Sequence, residues 1–172
     1  MAPLSTHYAC LSAIRDIIAG LGLLLSDQST PLPGASVILI QTAWVSRIIG
    51  QERSINPPAI VISPDGPESH IGGTNAQDDI AYPIYVTIVG AANQVVVDAP
   101  AGTNPNSDAD TWLGWRQKIS KAIRHQRLSG VDTILTVNQI DSREVIMPTL
   151  YQAGWWTTCL AFSCISRETR GA

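Results

Sequence analysis

The chain has 172 residues, enough for one domain with a real hydrophobic core and too few for two comfortable ones. Only 15% of the residues are charged against roughly 25% in an average soluble domain, and 45% are apolar. The net charge of −3 argues against an outer surface that grips nucleic acid through phosphate neutralisation, and no apolar run approaches the ~20 residues of a membrane helix.

Leu11, Ile14, Ile18, Leu21 and Leu25 recur at spacings of three and four, so the spacing predicts an amphipathic helix from about Thr6 to Leu25, with Ser5 or Thr6 as its cap. Ser29 to Gly34 supplies the stop. Val37 to Ile40 reads as a buried strand, with a possible continuation to Trp44 and Val45 to Gly50 as a candidate partner. Asn56-Pro57-Pro58 enforces an extended corner before a short strand, Ala59 to Ile62. Ser63 to Asp79 holds two prolines, three glycines and four acids, which predicts an exposed loop longer than most connections.

Ile80 to Gly90 alternates cleanly, with Ile80, Tyr82, Ile84, Val86 and Ile88 on one face and Ala81, Pro83, Tyr85, Thr87 and Val89 on the other. Pro83 cannot donate to a ladder and predicts an edge or bulge there. Ala91 to Asp110 is a second long loop, and a second helix follows from about Asp110 to Leu128. Trp112, Trp115, Ile119, Ala122 and Ile123 share one arc of that helix, while Arg116, Lys118, Lys121, Arg124 and Arg127 spread around the remainder. Thr133 to Ile140 predicts a strand, Asp141 to Thr149 a third irregular segment, and Tyr151 to Ser166 a long final strand. The order is that of one α+β domain spanning residues 1–172, a mainly antiparallel sheet with two α-helices on one face and long loops.

A catalytic reading needs a nucleophile, a base or a metal cluster. His7 and Cys10 lie three apart on the first helix, but a zinc site needs three or four suitable groups. His70 sits among Asp65, Glu68, Asp78 and Asp79 without the alternating acids of a calcium loop, so a solvated turn is expected. His125 belongs with the cations that favour a helix C-terminus. Gly20-x-Gly22 ends a helix rather than opening one after a strand, so it is not a dinucleotide fingerprint. Cys10, Cys159 and Cys164 lack paired spacing and suit reduced thiols. We therefore expect no enzyme activity, no metal and no cofactor. Lys118, Lys121, Arg124 and Arg127 remain the possible contacts to phosphate or to a partner.

The final strand carries the sharpest signal. Tyr151, Trp155, Thr157, Cys159, Ala161 and Ile165 fall on one face, Trp156, Thr158, Leu160, Phe162 and Cys164 on the other, and neither face is charged. Such a strand is covered by helices on one side and, on the other, either by a second subunit or by more of its own chain.

The sequence of features resembles the tail terminator and tail completion proteins of long-tailed bacteriophages. The resemblance rests on the long N-terminal helix, the segment Asp78-Asp-Ile-Ala-Tyr-Pro-Ile-Tyr-Val-Thr-Ile-Val89, the helix bearing Trp112 and Trp115-Arg-Gln-Lys-Ile119, and the closing Gly154-Trp-Trp-Thr-Thr-Cys-Leu-Ala-Phe162 followed by Arg167-Glu168. It implies a structural virion protein, assembled in the host cytoplasm. Such a protein forms a homo-oligomeric ring, commonly a hexamer, at the head-proximal end of the tail. The ring's partners would be the tail tube, the connector or neck protein, and genomic DNA passing through the lumen, with no membrane. The candidate interface residues are Asp78, Asp79, Tyr82, Tyr85, Trp155, Trp156 and Phe162. A neck or adaptor protein of the same junction fits the pattern too, and a nucleic-acid-binding module using the second helix is the remaining alternative.

Overall fold

A computed structural model describes residues 5–25, 27, 29–40, 55–91, 108–131, 133–140 and 155–169. The elements in chain order are α1 (Thr6–Ala19), a 3-10 turn (Gly34–Ser36), β1 (Val37–Leu39), β2 (Ala59–Pro64), β3 (Ser69–Gly73), β4 (Gln77–Ala91), α2 (Asp108–Ile123), β5 (Ile134–Ile140) and β6 (Trp155–Thr169). The class is α+β. One sheet runs in the order β1-β2-β4-β6-β5, with β3 beside β4 on the same side as β2. All pairings are antiparallel except β1 with β2.

Both helices lie on one face of this sheet. Leu11, Ile14 and Ile18 from α1, and Trp112, Trp115, Ile119 and Ile123 from α2, join Ile60, Ile62, Ile84, Val86, Ile88, Leu160 and Phe162 in a single buried cluster. The strand residues in that cluster are alternate positions, as a pleated sheet requires. β4 and β6 are the spine, paired over their whole lengths from Gln77↔Thr169 to Ala91↔Trp155.

Several boundaries differ from the sequence reading. α1 ends at Ala19 rather than Leu25, because Gly20 caps it and Gly22 adopts φ +57. The following turn is closed by the Leu25 amide on the Thr30 carbonyl and the Leu32 amide on the Leu23 carbonyl, with Asp27 accepting from the Ser29 and Thr30 amides. The Thr30 hydroxyl, which donates to the same carboxylate, and then the two amides hold the Asp27 carboxyl at about 2, below the usual carboxylate range. α2 starts at Asp108 and stops at Ile123 rather than Leu128, since His125 takes φ 62 and donates its amide to the Val137 carbonyl of β5.

The expected loop Ser63 to Asp79 is instead largely structured: β2 runs on to Pro64, and β3 and β4 form a hairpin closed by the Thr74 amide on the Gln77 carbonyl. A Cβ at Gly73 would lie 2.7 Å from that carbonyl, so the turn needs glycine there. β4 is central, not an edge. Pro83 sits where β2 has ended and β3 has not begun, and its carbonyl accepts from the Asp65 amide at 3.0 Å. A residue's N and O face the same neighbour in an antiparallel ladder, so the missing donor points into that gap and leaves the β6 pairing intact. β6 extends to Thr169 because the start of β4 offers it partners. The proposed partner strand Val45 to Gly50, most of Ala91 to Asp110, and Asp141 to Thr149 lie outside the described residues.

Candidate functional site

Ser5 caps α1 by accepting from the Tyr8 amide, which places His7 over the middle of β4. The His7 ring then packs 5.2 Å from that of Tyr82, and its Nε2 lies 3.2 Å from the Pro83 carbonyl. The Tyr82 hydroxyl donates to Glu168 at 2.6 Å. Burial, then that carboxylate, push the Tyr82 hydroxyl far above its ordinary value, so it stays a donor. This is a polar brace between α1, β4 and β6 with no nucleophile in it.

On the opposite face Asp79 and Arg167, cross-strand neighbours on β4 and β6, form a bidentate pair at 2.7 and 2.9 Å. That pairing lowers the part-exposed aspartate and raises the exposed guanidinium. Arg116 does not belong with the outward cations of α2. It is part-buried, its Nη1 donates to the Thr158 hydroxyl at 2.8 Å and to the Cys159 carbonyl, and burial lowers it.

The cysteines are packing groups. None of the three is in a disulfide and all are buried, and a hydrogen bond to Cys10, together with burial, drives the Cys164 thiol far up, away from the thiolate form that nucleophilic chemistry needs. Among the described residues no group of three or more His, Cys, Asp or Glu side chains could hold a metal, and no helix is long and apolar enough to cross a membrane.

The candidate interface residues separate into distinct environments. Tyr82, Trp156 and Phe162 belong to the subunit's own core, at 6%, 2% and 0% exposure, so they shape the sheet and are not presented to a neighbour. This corrects their assignment to an interface. Tyr85 is part-exposed on the far face, Asp78 is part-exposed in β4 opposite Gly73 and Glu168, and Trp155 opens β6. Lys118, Lys121, Arg124 and Arg127 are all exposed.

The far face of the sheet is already buried within the chain. Val61, Thr87, Val89, Thr157, Cys159 and Ala161 are each at most 5% exposed, and the Thr87 hydroxyl and Cys159 thiol lie 3.1 Å apart. A second subunit is therefore not needed to cover these strands, and the alternative of coverage by the same chain holds. Contact surface has to be sought at the margins of the sheet, and sequence periodicity does not reveal margins.

There the structure is specific. The exposed large hydrophobics among the described residues are Ile71 at 53%, Leu113 at 37%, Leu135 at 37% and Ile140 at 45%. Ile71 lies on β3, at one margin. Leu135 and Ile140 lie on β5, at the other. Leu113 lies on the other side of the sheet from Ile140: it is seven residues before Ser120, which hydrogen-bonds Gln139 on the helix-bearing face, whereas Ile140 pairs with Ala161 of the far face. Both margin strands are bulged, β3 between His70 and Gly72 and β5 between Ile134 and Thr136, which puts Ile71 and Leu135 at the irregularities. Comparison with known proteins gives no match to a family model and none among curated proteins.

Proposed function

We propose that this chain is a structural subunit of a long-tailed bacteriophage particle. In this reading it forms a homo-oligomeric ring, a hexamer, at the head-proximal end of the tail, where it caps the tail tube and meets the head connector, and DNA passes through the lumen. The observation that carries the reading is the placement of exposed apolar side chains at two opposite margins of one sheet. Two different patches on opposite margins allow a head-to-tail contact, and such contacts close into rings when the rotation between neighbours permits. The apolar stretch of the far face from Val61 to Ala161, buried within the chain, supports a compact wedge suited to a ring. Capping follows from surface occlusion: one rim of the ring continues the tube's contacts and the other offers a different surface, so polymerisation stops.

The neck or adaptor role is the second reading, favoured by the same margins. Particles assembled without this chain separate the two. Loss of a terminator gives tubes of unregulated length, whereas loss of a neck protein gives tails of normal length that fail to join heads. Normal, infectious particles lacking the chain would rule out both.

A further inference from the structure

Charge on this chain is segregated. None of its 14 acidic residues falls between Thr111 and Val131, the span that holds Arg116, Lys118, Lys121, Arg124 and Arg127 and with them both lysines of the chain. Arg116 turns inward to Thr158 and Cys159, but the other four cations are exposed. Among the described residues none of these four forms an ion pair, whereas Arg15 pairs with Asp16 and Arg167 with Asp79. Gln117, Lys121 and Arg124 follow one another at spacings of four and three, on the side of α2 turned away from the buried Trp112, Trp115, Ile119 and Ile123, and Lys118 flanks that line. The helix dipole favours a cation in the last turn, where Lys121 lies, but its effect does not extend back to Lys118. Resting on the ring reading above, we propose that this outward face of α2 lines the lumen and contacts the phosphate backbone of the DNA passing through it, without reading base sequence.

The chemistry of the face selects a polyanion over a protein. A stable protein interface is built around a desolvated apolar centre, whereas the centre line here is Gly114, Gln117, Lys121 and Arg124. Phosphate contact needs only positive charge and reach, which lysine and arginine side chains supply. The net charge of −3 does not oppose it, because exposed charges more than about 8 Å away are largely screened at physiological salt, and Asp108 and Asp110 stand at the opposite end of α2. A few cations on one subunit bind weakly, but a ring presents all its copies to the same duplex, so their contacts act together. The sheet margins carry the contacts between neighbours in that ring, which leaves the helix-bearing face free to form the wall of the lumen.

The test is fluorescence anisotropy of a labelled mixed-sequence DNA duplex titrated with the full chain from about 20 to about 200 mM salt, beside assembly of the same variants into particles. Wild type is expected to bind at low salt, with log affinity falling against log salt at a slope of about −3 and equally for duplexes of different sequence. Lys121→Ser with Arg124→Ser is expected to make that slope shallower by about two and to weaken binding by about tenfold or more at low salt. Circular dichroism of the variant and its ring at the tube's end are expected to stay unchanged. Arg15→Ser, which removes a cation already paired with Asp16, is expected to leave DNA binding as it was. A wild-type chain that binds no duplex at the lowest salt, or Arg15→Ser weakening binding as much as the α2 variant, would overturn the proposal while a ring at the tube's end kept the ring reading standing. Particles without such a ring would overturn both, whatever the anisotropy shows. If the α2 variant binds DNA normally but its tails fail to join heads, the face docks an acidic protein and the proposal is wrong.

Discussion

Trp112 lies directly against the backbone of Gly90: a Cβ built on that glycine would sit 2.0 Å from Cη2 of the indole. The ring packs on β4 from α2, with its centroid 4.8 Å from that of Trp156 on β6, so one close approach seats the second helix on both spine strands. Only glycine permits it. The expected result of Gly90→Ala is a loss of about 2–3 kcal/mol through overpacking, and of Trp112→Ala about 3–5 kcal/mol through an unfilled cavity. Because the small residue at position 112 relieves the clash at position 90, the double variant should cost clearly less than the sum. Urea unfolding of the four proteins measures the cycle, and strict additivity would contradict the packing.

A second anchor can be separated into apolar and polar parts. Trp115 is buried and its Nε1 donates to the Leu24 carbonyl at 2.7 Å, tying α2 to the turn after α1. Trp115→Ala should cost roughly 3–5 kcal/mol, with Trp115→Phe costing less because it keeps an aromatic ring and loses only the donor and part of the volume. Lys121→Ser with Arg124→Ser, both exposed, should stay within about 0.5 kcal/mol per site. Thermal denaturation of these variants tests the assignment of the helix faces, and the reverse order of effects would show them exchanged.

Alkaline pH probes the brace at the foot of α1. The hydroxyl of Tyr82 is raised in the folded protein by burial and by Glu168, so the unfolded chain ionises first as pH climbs. The neutral tyrosine's contribution is fully present below the unfolded value of about 10 and is lost progressively above it. Wild-type stability in urea should therefore fall between pH 9 and about 11.5 more steeply than that of Tyr82→Phe. Parallel profiles for the two proteins would show that the hydroxyl is not coupled to folding.

The thiols give a check on packing without mutation. Cys10, Cys159 and Cys164 are all buried, so an aromatic disulfide reagent should label almost nothing in the native protein and three equivalents in denaturant. Rapid native labelling of Cys10 or Cys164 would mean that α1 does not stay packed on the sheet.

Regular periodicity made much of this fold legible. Alternation in β4, the arc of Trp112, Trp115, Ile119 and Ile123, and the two-faced apolar pattern of β6 all correspond to observed burial. β3 was invisible because Ser-His-Ile-Gly-Gly has neither alternation nor β-branched density, and its strand exists only through pairing with β4. Pro83 misled because a missing donor marks one side of one residue, and sequence does not say which neighbour stops there. Two apolar faces look alike in sequence, so Tyr82, Trp156 and Phe162 read as interface when the subunit fills them itself. Ser120 and Gln139 meet only once α2 crosses β5, a juxtaposition that no local pattern encodes.

Native mass spectrometry of the purified chain, repeated in the presence of tail tubes, tests the central claim most directly. The account predicts a discrete closed oligomer, a hexamer, that becomes the dominant species on tubes and is shifted to monomer by Ile71→Asp. A monomer under both conditions, with no ring of this chain at the tube's end, would contradict it.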